Sequence, residues 1–119
     1  MKLLKAYAAL DAMFHGKGTQ ALFASLGQQM ITCDELCTAG FVKEARKVVL
    51  EAHAALVRSD WDARSSDVWA LAGEDYEAVR LAMAVYELQM RITPQADLLQ
   101  AELRMMRQQV ASEEARRAA

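Results

Sequence analysis

The sequence predicts an all-α protein, a compact irregular bundle of about five helices, and three observations lead there. Ala, Leu, Gln, Glu, Arg and Met are abundant and β-branched residues sparse, and the abundant set loses little side-chain freedom in a helix. One proline and five glycines leave few breakpoints. Apolar residues recur at spacings of three and four, the period of a helix face. With 54% hydrophobic and 25% charged residues in 119, the chain suits one domain with one core.

Each element follows from its own signals. Leu3, Tyr7, Leu10 and Phe14 form one face of a first helix, which Gly16 ends as a left-handed residue past the C-terminus. Thr19 caps a second helix carrying Leu22, Phe23, Leu26, Met30, Ile31 and Leu36. Gly27 inside it costs about 1 kcal/mol relative to Ala and predicts close approach of another helix. Gly40 is the stop.

A third helix over 41–58 is expected to bury Phe41, Ala45, Val48, Val49, Ala52, Leu56 and, at its edge, Val57. The Asp/Ser-rich stretch from Ser59 to Asp67 has turn chemistry, so residues 59–72 are expected to form the main loop, with Val68-Trp69-Ala70-Leu71 as an apolar anchor. A fourth helix over 74–91 carries two seams, Tyr76, Val79, Met83, Tyr86 and Met90, and Leu81, Val85, Leu88 and Ile92. A helix apolar on two sides is expected to be central. Thr93 and Pro94 restart the chain as N-cap and first helical residue. Leu99, Leu103, Met106 and Val110, widened by Leu98 and Met105, are expected to line the buried face of a fifth helix. The domain then spans 1–111, and residues 112–119 are expected to fray.

The chemistry-bearing residues point away from catalysis. Cys33 and Cys37 lie one helical turn apart, a geometry unsuited to a disulfide. With His15 and His53 they supply no CxxC or HxxxH spacing for zinc, so no metal and no cofactor are expected. Reduced thiols, the lack of a long apolar run and an N-terminus interrupted by Asp11 and His15 predict a cytoplasmic protein with no membrane contact. Gly16-Lys17-Gly18-Thr19 shares a lysine and a threonine with phosphate-binding loops, but Gly18 separates them and a helix precedes them; a tight turn is the better reading. His53 stands among alanines with no nucleophile to serve. Glu74 and Asp75 open a helix, where the macrodipole favours them. No catalytic residue is expected; the protein acts by binding.

Two surfaces compete for that role. Between residues 60 and 90 there are seven acidic and two basic side chains. Asp60, Trp61, Asp62, Asp67, Trp69, Glu74, Asp75, Tyr76 and Glu77 make an acidic aromatic segment holding both tryptophans. Trp69 is expected to plug the bundle, and Trp61, between two aspartates, to be exposed. Aromatic anchors within an acidic rim suit a basic protein partner. The alternative is nucleic-acid binding by Lys43, Arg46 and Lys47, or by Arg104 and Arg107, in a dimeric DNA-binding regulator. Interleaved acids and a net charge of −2 weigh against it. A third course is self-association through the fourth or the Met-rich fifth helix, giving a homodimer.

Several stretches carry a resemblance: Ala9-Leu10-Asp11-Ala12-Met13 before Gly16-Lys17-Gly18-Thr19, then Leu36-Cys37-Thr38-Ala39-Gly40, Trp69-Ala70-Leu71-Ala72-Gly73 and Ala84-Val85-Tyr86-Glu87-Leu88-Gln89. In these the chain resembles a loose group of small helical phage, prophage and plasmid proteins of proteobacteria, some labelled Fis-type regulators. The C-terminal region lacks the basic helix-turn-helix of such regulators. The resemblance implies origin in a mobile element more than mechanism. The absence of catalytic chemistry, the compact helical scaffold and the acidic aromatic segment lead to the expectation of an inhibitor or modulator of a host or defence protein, in the host cytoplasm. It assigns no site residues.

Overall fold

The hydroxyl of Thr19 accepts a hydrogen bond from the Leu22 amide (3.2 Å), and this N-cap sets the boundary between the first two helices. The structure, a computed structural model, describes residues 2–118, with side chains from residue 7 onward. Leu3 of the first apolar stripe lies outside the described side chains. Five helices follow in order: α1 (Lys2–Phe14), α2 (Gln20–Thr38), α3 (Arg46–Ser66), α4 (Gly73–Ile92) and α5 (Gln95–Ala118), with one 3₁₀ turn at Lys43–Ala45. No strand occurs among the described residues. The fold is an all-α bundle. Gly16 adopts φ +71° past the end of α1, as its place required.

Both ends of the third helix differ from those the sequence suggests, each for a local reason. The third helix begins at Arg46, not at 41, because Val42 takes a left-handed backbone (φ 60°) and redirects the chain. A β-branched residue there costs about 1–3 kcal/mol, and the turn is held by Ala45 N donating to Val42 O (3.0 Å). The same helix runs on to Ser66 through the stretch expected to be loop. Arg64 pairs with Asp60 one turn back (3.0 Å), Ala63 is buried, and the Ser65 and Ser66 hydroxyls donate to the Asp62 carbonyl (3.0 Å each). The connection is therefore only 67–72. α5 continues to Ala118, its residues from 111 on exposed.

The core is built from Met13, Leu26, Met30, Leu36, Val49, Leu71, Val79, Met83 and Tyr86, all buried. Its hub is α2, which packs against α1, α3, α4 and α5, and not α4, the helix expected to be central. Only one seam of α4 faces inward, through Val79, Met83 and Tyr86; Leu81, Leu88 and Ile92 are exposed. At Thr93-Pro94 the chain turns α5 away to lie on α2, so the second seam of α4 is left uncovered except at Val85, which packs against the core. On α5 the buried residues are Ala101 and Met105, and Leu99, Leu103, Met106 and Val110, expected inside, are exposed.

One buried amide joins the ends of three elements. Gln89 of α4 is fully buried, and its Nε2 donates to the carbonyls of Cys33 (3.1 Å) and Phe41 (3.0 Å), with Cys37 Sγ at 3.3 Å. Both thiols are buried and free, and desolvation pushes them up from the ordinary thiol range.

The turn between α1 and α2 is strapped to the 67–72 connection. Gly18 N donates to Trp69 O (3.0 Å), and Leu71 N donates to Met13 O (3.1 Å). Trp69 packs edge-on against Phe23 (5.3 Å), filling the bundle end as expected. A Cβ at Gly18 would lie 2.3 Å from Trp69 O. Gly27 is the opposite case: a Cβ there meets nothing within 4 Å, so no helix approaches it closely. Gly18→Ala is expected to destabilise the fold by about 2 kcal/mol or more through backbone displacement. Gly27→Ala is expected to stabilise it by up to about 1 kcal/mol. Urea unfolding of both variants checks the contrast.

Candidate functional site

Asp67 ends α3 in the left-handed region (φ 59°), and the strapped connection then delivers the first turn of α4 beside the end of α1. Phe14, the last residue of α1, meets Tyr76 with ring centroids 4.5 Å apart and planes tilted by 45°. His15 also meets Phe14 edge-on (5.4 Å). Both aromatic residues line a shallow pocket of about 700 Å³ with Leu81, Glu51, Glu74 and Glu77.

Glu51 comes from α3, while Glu74 and Glu77 come from the first turns of α4, and all three are exposed. Arg80 donates to Glu77 Oε2 through Nε (3.1 Å) and Nη2 (2.8 Å). Three carboxylates therefore stand against one guanidinium. Carboxylates beside aromatic faces suit a cation, which gains charge-assisted hydrogen bonds and attraction to the rings.

The nine residues of the acidic aromatic segment divide among several places. Glu74, Tyr76 and Glu77 line the pocket. Asp75 sits behind it, paired with Arg58 (2.9 Å). Asp60 pairs with Arg64 and faces a different groove. Trp61 is 76% exposed on the outer side of α3, with exposed Leu50 and Val57 at helical spacing. Asp62 and Asp67 are exposed, and Trp69 is half-buried. Phe14 and Glu51, by contrast, belong to the pocket without having been marked by the sequence. Phe14 appeared only as one position of an apolar stripe. Glu51 had no signal, since its place depends on how α3 packs on α4.

The basic residues do not make a single surface of free charge. Arg46 donates through Nε to Asp34 Oδ1 (2.7 Å), Lys43 belongs to the 3₁₀ turn and Lys47 to α3. Arg104 and Arg107 are exposed on α5. Among the described residues, no three His, Cys, Asp or Glu side chains converge as metal ligands, and no helix is long and apolar enough to cross a membrane.

A second concavity, of about 740 Å³, lies between α2, α3 and the C-terminal half of α5, with Phe23, Ile31 and Leu56 among its lining and His53, Asp60 and Gln108 around them. Burial lowers the pKa of His53, and the Asp34 carboxylate opposes the shift. Comparison with protein-family models, curated proteins and solved structures returns no match.

The half-buried histidine gives a pH prediction. Its folded pKa lies below the unfolded value of about 6.5, so the unfolded chain takes up the proton more readily. Stability should be full above that pH and fall as the pH drops through it. His53→Asn should flatten this part of the profile, read by thermal unfolding between neutral and mildly acidic buffers.

Proposed function

We propose that the protein is a non-catalytic binding module that recognises an Arg- or Lys-bearing segment of a partner protein at the α1–α3–α4 pocket. The observation that carries the reading is the set of Glu51, Glu74 and Glu77 around the Phe14–Tyr76 pair. The three carboxylates are supplied by two helices and the rings by two, so the pocket depends on tertiary packing. A guanidinium or ammonium group could rest on the Phe14 ring while its N–H donors reach Glu74 and Glu51. Acidic steering of a basic partner raises the association rate as well as selectivity. The mobile-element resemblance supports a host or defence protein as the partner, with inhibition or modulation as the outcome.

A fluorescein-labelled Lys/Arg-rich peptide tests the pocket by anisotropy. Binding should weaken with added salt. The double variant Glu74→Lys, Glu77→Lys, and separately Phe14→Ala, should each lower affinity by about tenfold or more. Trp61→Ala should leave it unchanged. Peptide binding that survives the Glu74/Glu77 charge reversal, in a protein whose circular dichroism is intact, would sink the reading.

A further inference from the structure

We infer that Arg80 is an internal competitor for the cation taken up at the α1–α3–α4 pocket, so that a guanidinium of the chain itself sets the pocket's affinity. The inference rests on the proposed reading of the pocket and adds how that site is regulated. Of the three pocket carboxylates only Glu77 is paired; Glu51 and Glu74 carry no ion pair among the described residues. Arg80 follows Glu77 by three residues on α4, and its Nε (3.1 Å) and Nη2 (2.8 Å) both donate to one oxygen, Glu77 Oε2. A partner's arginine would make the same charge-assisted contact with this carboxylate. Here it is already made from within.

The internal occupant is built to be displaced. The Arg80 and Glu77 side chains are 52% and 55% exposed, and a pair so open to water is held weakly. Arg80 does not itself line the pocket, so it can leave Glu77 without disturbing the walls. While paired, it cancels one of the three negative charges and occupies one of the two Glu77 oxygens. An arriving guanidinium gains Glu51, Glu74 and the ring faces as well, whereas Arg80 gains Glu77 alone. A partner that makes all of these contacts outcompetes Arg80, and a weakly basic one does not. The pair therefore raises the threshold for binding and sharpens selection of strongly basic segments. Arg58 supplies the contrast. It makes the same kind of pair with Asp75 (2.9 Å), but Asp75 is not part of the pocket lining, so Arg58 withholds nothing from a ligand.

Two measurements with the labelled Lys/Arg-rich peptide test this. By anisotropy, Arg80→Gln should tighten binding about two- to fivefold, the worth of an exposed ion pair. Arg58→Gln removes the same unit of charge nearby and should change affinity by less than about twofold, which separates competition from a general change of field. By NMR of the ¹⁵N-labelled protein, the side-chain Nε–H signal of Arg80, identified by its loss in Arg80→Gln, should shift as peptide is added while that of Arg58 stays in place. Both variants alter exposed side chains, so their unfolding curves should match the wild type. A wild-type chain that fails to bind the peptide sinks the reading of the pocket, and this inference with it. Peptide binding that is unchanged or weaker in Arg80→Gln, equal gains in the two variants, or an Arg80 signal that does not move overturns the competition alone and leaves the pocket standing.

Discussion

Two backbone hydrogen bonds between the α1–α2 turn and the 67–72 connection hold one end of the bundle together. Gly18 N donates to Trp69 O and Leu71 N to Met13 O. Loop amides away from water need partners, and here two loops satisfy each other. The contact tolerates nothing larger than glycine at position 18, since any Cβ would overlap the Trp69 carbonyl. With the loops joined, Phe14 is brought onto Tyr76 and Trp69 onto Phe23. The aromatic half of the pocket is thus a consequence of how the chain ends of α1 and α3 are tied.

Much of the bundle was legible in the sequence because its boundaries rest on local chemistry. Thr19 and Gly16 act over one turn and need no tertiary partner, so the boundary of α1 and α2 could be read. Thr93-Pro94 marks the break between α4 and α5, but α5 starts at Gln95 with Pro94 O accepting its first hydrogen bond, and the Thr93 hydroxyl makes none, so Thr93 is not its N-cap. The extent of α3 could not. Ser59 to Asp67 has the composition of a turn, but an Asp60–Arg64 pair and the burial of Ala63 outweigh the weak local preferences. Periodicity likewise finds apolar faces without saying which are covered. Leu99, Leu103, Met106 and Val110 form a clean stripe, yet α2 takes the adjoining face with Ala101 and Met105. Ala101 there allows close helix approach, a signal that hydrophobicity alone does not rank. Gln89 was invisible for the opposite reason: a polar residue is buried because three acceptors from α2 and its following turn surround it.

The site divides in the same way. Glu74, Tyr76 and Glu77 are neighbours in the chain and could be picked out as an acidic aromatic cluster. Phe14 and Glu51 reach them from far along the sequence through the packing of α1 and α3 on α4. Trp61, the most conspicuous residue of the segment, instead lies on the outer side of α3, because the helix runs through it. The pocket and the α5 row then represent two kinds of surface on one scaffold. One is concave, acidic and aromatic, while the other is convex and apolar with alternating charge.

Chemical-shift mapping of the ¹⁵N-labelled protein, titrated with a short Arg-rich peptide, reads the location of binding directly. The account predicts salt-sensitive shifts confined to the amides around Phe14, Glu51, Glu74, Tyr76 and Glu77. Shifts centred instead on Trp61, or on the groove beside His53, would contradict it.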